Sequence, residues 1–186
     1  QDVFPAFSPD SRQVVYQAFR NVGYDLYAVD LRDGHETPLT SDNTYQYAPV
    51  WSPDGRSIAF ASIPDERGYG VYVLNLATMR VNYLADLPGR SMVVWSPDEQ
   101  HLAFSPTDRA GVYLVELASV HPLLLNRDLR PRQEGGRVAW SPDGTRLVVA
   151  SDHEGFSALY VLSADGSSLQ RILADDGFLA SPAWFP

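Results

Sequence analysis

Trp51-Ser52-Pro53-Asp54-Gly55 is the stretch whose reading decides the fold, because the chain repeats it. Phe7-Ser8-Pro9-Asp10 precedes it, Trp95-Ser96-Pro97-Asp98 and Trp140-Ser141-Pro142-Asp143-Gly144 follow, and Trp184-Phe185-Pro186 is a degenerate fifth copy. Successive copies lie 44, 44, 45 and 44 residues apart, and all four tryptophans of the chain occupy this one position. A fixed period of this length is the mark of a repeat architecture. Within the motif, proline presets φ for a turn, the aspartate side chain caps it, and glycine accepts φ > 0. Ser11 and Glu99 stand where Gly55 and Gly144 stand in the other copies. The turn is therefore expected to be strained or altered in the first and third units, with φ > 0 only at the glycines. The aromatic residue before the turn, Phe7, Trp51, Trp95, Trp140 or Trp184, is expected to pack between neighbouring units, with Trp51, Trp95 and Trp140 largely buried.

Each unit repeats its interior as well. An apolar run follows the motif: Val14-Val15-Tyr16, Ile58-Ala59-Phe60, Leu102-Ala103-Phe104, Leu147-Val148-Val149. An alternating segment comes next, with tyrosine at one equivalent place: Tyr27, Tyr72, Tyr113 and Tyr160. Period two with β-branched and aromatic residues specifies strands. Asp33-Gly34 and Asp165-Gly166 then mark tight hairpins into a fourth short strand. Four short strands per unit of about 40–45 residues specify propeller blades. The fold class is all-β: a β-propeller with four four-stranded antiparallel blades, over 4–47, 48–91, 92–136 and 137–180, plus one extra first strand at 181–186, in a single domain or arc.

These residues resemble the WD40-like PD40 repeat of the TolB propeller family, over essentially the whole chain. The blades are also similar to those of propellers that precede prolyl-oligopeptidase-type catalytic domains. The resemblance implies an interaction surface and an extracytoplasmic or periplasmic location. Four units and one extra first strand leave a ring short of closure. The chain is accordingly expected to self-associate or to be part of a longer propeller, because open ends leave strand edges unsatisfied.

Composition narrows the partners. The formal net charge is −9 and cysteine is absent. An acidic chain lacks the basic face that nucleic acid requires, and without cysteine there is no disulfide or thiolate ligand. No apolar run reaches the ~20 residues of a membrane-spanning helix. The G-x-S-x-G, H-E-x-x-H, phosphate-loop and EF-hand patterns are all missing, and the four histidines are scattered. No catalytic residue, metal ligand or cofactor is assigned. Asp10, Asp54, Asp98 and Asp143 are read as turn caps rather than as a carboxylate ring.

The loops carry the candidate site. Loops between second and third strands share a face with the inter-blade loops. They bring Arg20, Arg67, Arg109 and His153, with Tyr45, Tyr47, Arg90 and Arg130, to that face. Arginine and tyrosine are enriched at protein-binding hot spots, so the expected partner is a protein or peptide, held at this face or in the central channel. Local ion pairs with Asp65, Asp108 and Asp152 are the competing reading of these loop charges. Two further function classes remain open: an accessory or gating propeller of a larger hydrolase, and a propeller enzyme with an unrecognised channel site.

Overall fold

The computed structural model describes residues 2–20, 23–42, 44–64, 68–119, 121–130, 138–152, 154–175 and 182–184. They form sixteen strands in the expected groups of four. The first strands of the groups are β1 (Asp2–Phe7), β5 (Tyr45–Trp51), β9 (Ser91–Trp95) and β13 (Val138–Trp140). The second strands are β2 (Gln13–Arg20), β6 (Ser57–Ile63), β10 (His101–Pro106) and β14 (Arg146–Ser151). The third strands are β3 (Gly23–Asp30), β7 (Gly70–Asn75), β11 (Val112–Glu116) and β15 (Ser157–Ser163). The outermost are β4 (Glu36–Pro38), β8 (Arg80–Asp86), β12 (Leu123–Asn126) and β16 (Leu169–Asp175). Each group is antiparallel in chain order. The first two blades are not separate sheets. One parallel bridge, Tyr24 to Tyr45, joins β3 to β5 in an eight-stranded sheet. Pro182–Trp184 carry no strand assignment, and the remainder of the anticipated extra strand lies outside the described residues.

The chain divides into two compact units, residues 1–87 and 88–186. In the first, Val15 and Leu26 of one blade pack on Ile58, Phe60 and Leu74 of the next, all buried, with Trp51 against them. In the second, Ala103 and Val112 meet Leu147, Val149, Tyr160 and Leu162 around Leu129, which the inter-blade loop drives into the core. Inside three blades an aromatic residue of the second strand stacks on its cross-strand tyrosine: Tyr16 on Tyr27, Phe60 on Tyr72 and Phe104 on Tyr113. The fourth blade pairs Val149 with Tyr160 instead. The recurring tyrosine is thus blade packing, as its place on the third strand requires.

The motif turn is the same network four times. The serine Oγ of Ser8, Ser52, Ser96 and Ser141 donates to its aspartate Oδ1 at 2.7, 2.6, 2.5 and 2.6 Å. The same Oγ accepts the backbone N–H five residues on, at 2.9–3.0 Å. The aspartate accepts the N–H of Arg12, Arg56, Gln100 or Thr145. These bonds favour the ionised carboxylate, so Asp10, Asp54 and Asp98 titrate below the ordinary range and Asp143 falls to about 2.

In the first and third units the turn is strained rather than altered, and the expectation of φ > 0 only at the glycines is overturned. Ser11 and Glu99 adopt φ of 57° and 62°, beside 70° at both Gly55 and Gly144. The serine–aspartate network closes the turn whatever the residue, and the non-glycine copies bear the strain. The tryptophans also differ from expectation in being half-buried. Trp51 packs against the apolar cluster of the first unit and Trp140 against that of the second. Trp51 Nε1 donates to the Ala6 carbonyl and Trp184 Nε1 to the Ala139 carbonyl, each at 3.2 Å across 45 residues. Trp140 Nε1 is buried without an acceptor.

Proline sets another difference between blades. Pro5 and Pro49 precede the motif aromatic by two residues, where the third and fourth units have Val93 and Val138. With no N–H to give the ladder, each proline coincides with a register shift, between Val3 and Ala6 and between Tyr47 and Val50. The preceding residues, Phe4 and Ala48, turn to φ of 55° and 51°. The ladder from Ser91 to Trp95 runs unbroken.

Candidate docking face

Alternate ends of the strands define two faces. On one, the residue after the third strand donates its N–H to the carbonyl beside the motif turn: Leu31 to Arg12, Leu76 to Arg56, Leu117 to Gln100 and Ala164 to Thr145, at 2.8–3.0 Å. That face is committed to turn structure. Within each unit the opposite strand ends carry the loops between second and third strands, β2–β3 and β6–β7 in the first unit and β10–β11 and β14–β15 in the second, and the candidate residues lie on or beside these.

In the first unit this face is a row of aromatic rings. Phe19, at the end of β2, lies 5.0 Å from its cross-strand partner Tyr24, centroid to centroid. Tyr24 lies 4.8 Å from Tyr45, the contact that the parallel bridge enforces. Tyr45 is 5.8 Å from Tyr47, which meets Tyr69 edge-on at 6.5 Å. Phe19 and Tyr45 are 49% and 37% exposed, whereas Tyr47 is fully buried. Tyr47 was expected to be a surface contact. It is instead the floor of the row, two residues further into the sheet than Tyr45, opposite buried Ala61 and edge-on to Tyr69.

Beneath the row a polar network holds the connection into β5. Thr40 Oγ1 accepts the Leu26 N–H at 2.9 Å and donates to Gln46 Oε1 at 2.5 Å, with Asp25 Oδ1 3.5 Å away. Gln46 Nε2 donates to Asp42 Oδ1 at 2.7 Å, and Thr44 donates to the same oxygen through both N–H and Oγ1. Burial raises the Asp25 carboxyl above its ordinary range, and the nearby Asp42 charge adds to the effect. Gln17, on β2, is fully buried and neither of its amide atoms has a hydrogen-bond partner.

Arg20 lies elsewhere. Its side chain leaves β2 on the side opposite Phe19, as alternation dictates. It sits over the Tyr27 ring at 4.5 Å and 3.2 Å from a Glu36 carboxylate oxygen. Tyr16 donates its hydroxyl to that carboxylate, which with the Arg20 charge holds Glu36 below the usual carboxylate range. Arg20 is thus paired within its own blade, to Glu36 rather than to a loop aspartate.

In the second unit the loops are strapped to one another through their backbones. Thr107 N–H bonds the Arg90 carbonyl at 2.8 Å, and Gly111 N–H bonds the Leu129 carbonyl at 2.8 Å. Asp152 N–H reaches the Arg130 carbonyl at 3.3 Å, while Arg130 N–H reaches Ser151 Oγ at 2.8 Å. Asn126 Oδ1 caps the N–H groups of Asp128 and Leu129. A Cβ at Gly89 would stand 2.1 Å from Asp108 Oδ1, so a larger residue there requires the Asp108 side chain to swing away. The straps present Arg90, Arg109 and Arg130 as exposed side chains, with Arg109 Nε 3.6 Å from Asp108. Arg67 and His153 lie outside the described residues, as does Asp65. Among the described residues no cluster of three or more His, Asp or Glu side chains is arranged to hold a metal.

Sequence reasoning found Tyr45 but missed Phe19, Tyr24 and Tyr69. The hairpin register pairs Phe19 with Tyr24 and was available from the short Arg20–Gly23 turn. The bridge that adds Tyr45 was not.

No family model matches the chain. The Tol-Pal system protein TolB of Alcanivorax borkumensis is 37% identical over 102 residues, covering 54% of this chain and 23% of its own length. TolB of Francisella tularensis subsp. holarctica is 27% identical over 153 residues, 77% of this chain and 34% of its own. The chain therefore spans between a quarter and a third of these relatives. Among solved structures, a chain designated TolB from Agrobacterium tumefaciens superposes with a TM-score of 0.75 at 21% identity, over 93% of this chain and 62% of that one.

Proposed function

We propose that this chain, which is similar to TolB proteins in sequence and to TolB-like, WD40-like β-propellers in fold, is a non-catalytic module that binds a protein or peptide partner through its loop face. The observation that carries this reading is the aromatic row. Large rings left half open on rigid strand ends are favourable only if something covers them, and tyrosine brings apolar area with little rotamer entropy to lose. The row is preorganised by the bridge and by the Thr40–Gln46–Asp42 network, which lowers the ordering cost of binding. Arg90, Arg109 and Arg130, exposed on the strapped loops of the second unit, are proposed as contact residues of that unit, and Arg67 and His153 as further contacts by their place in the repeat alone. In this reading Arg20 and Tyr47 hold the first unit together and do not touch the partner.

The relatives carry the name of the Tol-Pal system. The partner proposed here is accordingly a protein component of such a system, and the proposed location is the periplasm. Purified chain titrated against the Tol-Pal components of its own organism by biolayer interferometry tests the reading. Binding to one component is expected, weakened at least tenfold by Phe19→Ala with Tyr45→Ala and unchanged by Tyr83→Ala on the outer strand β8. Binding to none of them, or binding indifferent to the loop-face pair, would sink it.

A further inference from the structure

The exposed edge of the aromatic row has a charge character that specifies its occupant. Asp42 lies exposed three residues before Tyr45. At the far end, Leu87 N–H bonds the Tyr69 carbonyl and exposed Asp86 pairs with Gly70. Aromatic faces and carboxylates together attract cations, through the ring quadrupole and through direct charge. Arg20, which shares this end of β2, is turned to the other side and held by Glu36 and Tyr27. The chain satisfies its own rings in this manner elsewhere, with Arg146 over Trp184 at 5.1 Å and Arg171 over Phe156 at 5.5 Å. No described arginine is placed over Phe19, Tyr24 or Tyr45.

We propose that the Phe19–Tyr24–Tyr45 row docks an extended, arginine- or lysine-bearing segment of a protein partner, with cationic side chains laid on the rings and Asp42 at the row's end. The proposal rests on the docking reading above and deepens it by naming the chemistry of the bound segment. Its length follows from the rings. Phe19 to Tyr45 spans at most about 10 Å, the length of about three extended residues. Cations two positions apart in an extended segment point the same way at about 7 Å. The row therefore fits a basic–any–basic pattern.

The probe is a blocked peptide, acetyl-Gly-Arg-Gly-Arg-Gly-Arg-Gly-amide, titrated calorimetrically at low salt. Its comparators are the same peptide with citrulline or glutamate for arginine, and octaproline. The arginine peptide should bind at least fivefold more tightly than each comparator. Tyr45→Ala and Phe19→Ala should each weaken it at least fivefold with the melting temperature retained, and Asp42→Asn, which keeps the Oδ1 acceptor, about threefold. Tyr45→Phe, which keeps the ring, should bind as the parent does. Asp54→Asn on the opposite face should change nothing, which separates the row from general attraction to an acidic chain. Equal binding of citrulline and arginine peptides, preference for octaproline, or affinity indifferent to Tyr45→Ala would each overturn the proposal. If a Tol-Pal component binds in a Tyr45-dependent manner while the arginine peptide does not, the docking reading stands and this inference fails. If the arginine peptide binds at the row and no Tol-Pal component does, the inference stands and the partner reading fails.

Discussion

Replacing Glu99 with glycine should stabilise the protein, and the size of the gain follows from the four-fold comparison built into the chain. Glu99 sits at φ of 62° and Gly144, its counterpart one unit later, at 70°. The hydrogen bonds around them match: Glu99 N–H to the Ser96 carbonyl at 3.0 Å, and Gly144 N–H to the Ser141 carbonyl at 2.9 Å. The turns thus differ chiefly in having a Cβ at a left-handed residue. That conformation costs a non-glycine residue about 1–2 kcal/mol. Glycine gives back about 0.5–1 kcal/mol in extra chain entropy lost on folding. The net gain for Glu99→Gly is therefore about 0.5–1 kcal/mol, and Ser11→Gly should match it. In a chain of this size that raises the melting temperature by about 1–4 °C. The converse substitutions, Gly55→Ala and Gly144→Ala, should lose a similar amount. A Cβ there meets only Pro9 Cδ or Pro97 Cδ at 3.7 Å, an ordinary contact, so the loss comes from the backbone alone. Differential scanning calorimetry of the four single variants at neutral pH makes the measurement. If Glu99→Gly and Ser11→Gly leave the melting temperature unchanged or lower it, the strain assigned to the motif turn does not exist.

Acid should weaken the fold through the same turns. The motif carboxylates titrate lower folded than unfolded, so their stabilisation is present above about pH 4 and is lost as pH falls through the folded value, about 2 for Asp143. Denaturation midpoints that stay flat from pH 5 to 2 would refute this. Trp51→Phe removes the bond to Ala6 and should cost about 0.5–1.5 kcal/mol beyond the lost ring area, while Trp140→Phe removes an orphaned buried donor and should cost less; equal urea midpoints would contradict the assignment. Tyr47→Ala should lose about 3–5 kcal/mol as a core truncation. Arg109→Ala, an exposed pair, should shift the melting temperature hardly at all while weakening partner binding, and the reverse outcome makes Arg109 a structural residue.

What could be read from the sequence was what is local. Ser52, Asp54 and the N–H groups of Arg56 and Ser57 lie within six residues, so their bonds form wherever the motif occurs, and the period of the motif then counts the blades. The pairing of Phe60 with Tyr72 or Phe104 with Tyr113 follows from hairpin register and was legible for the same reason. Conformation at Glu99 was misread because residue preference was weighed and the closed network around the residue was not. The candidate site depended on more distant choices. Tyr45 and Tyr47 are two residues apart and would share a side of a regular strand. Depth in the sheet and the approach of Tyr69 bury Tyr47, whereas Tyr45 stays open at the strand's end. Arg20 finds Glu36 sixteen residues away across β3 and β4, which removed it from the docking face. The aromatic row exists only because a single parallel bridge lays Tyr24 beside Tyr45. Period two specifies strands and nearest partners, whereas exposure at a blade's end is decided by which neighbouring strand arrives there, and that is a property of the packed sheets.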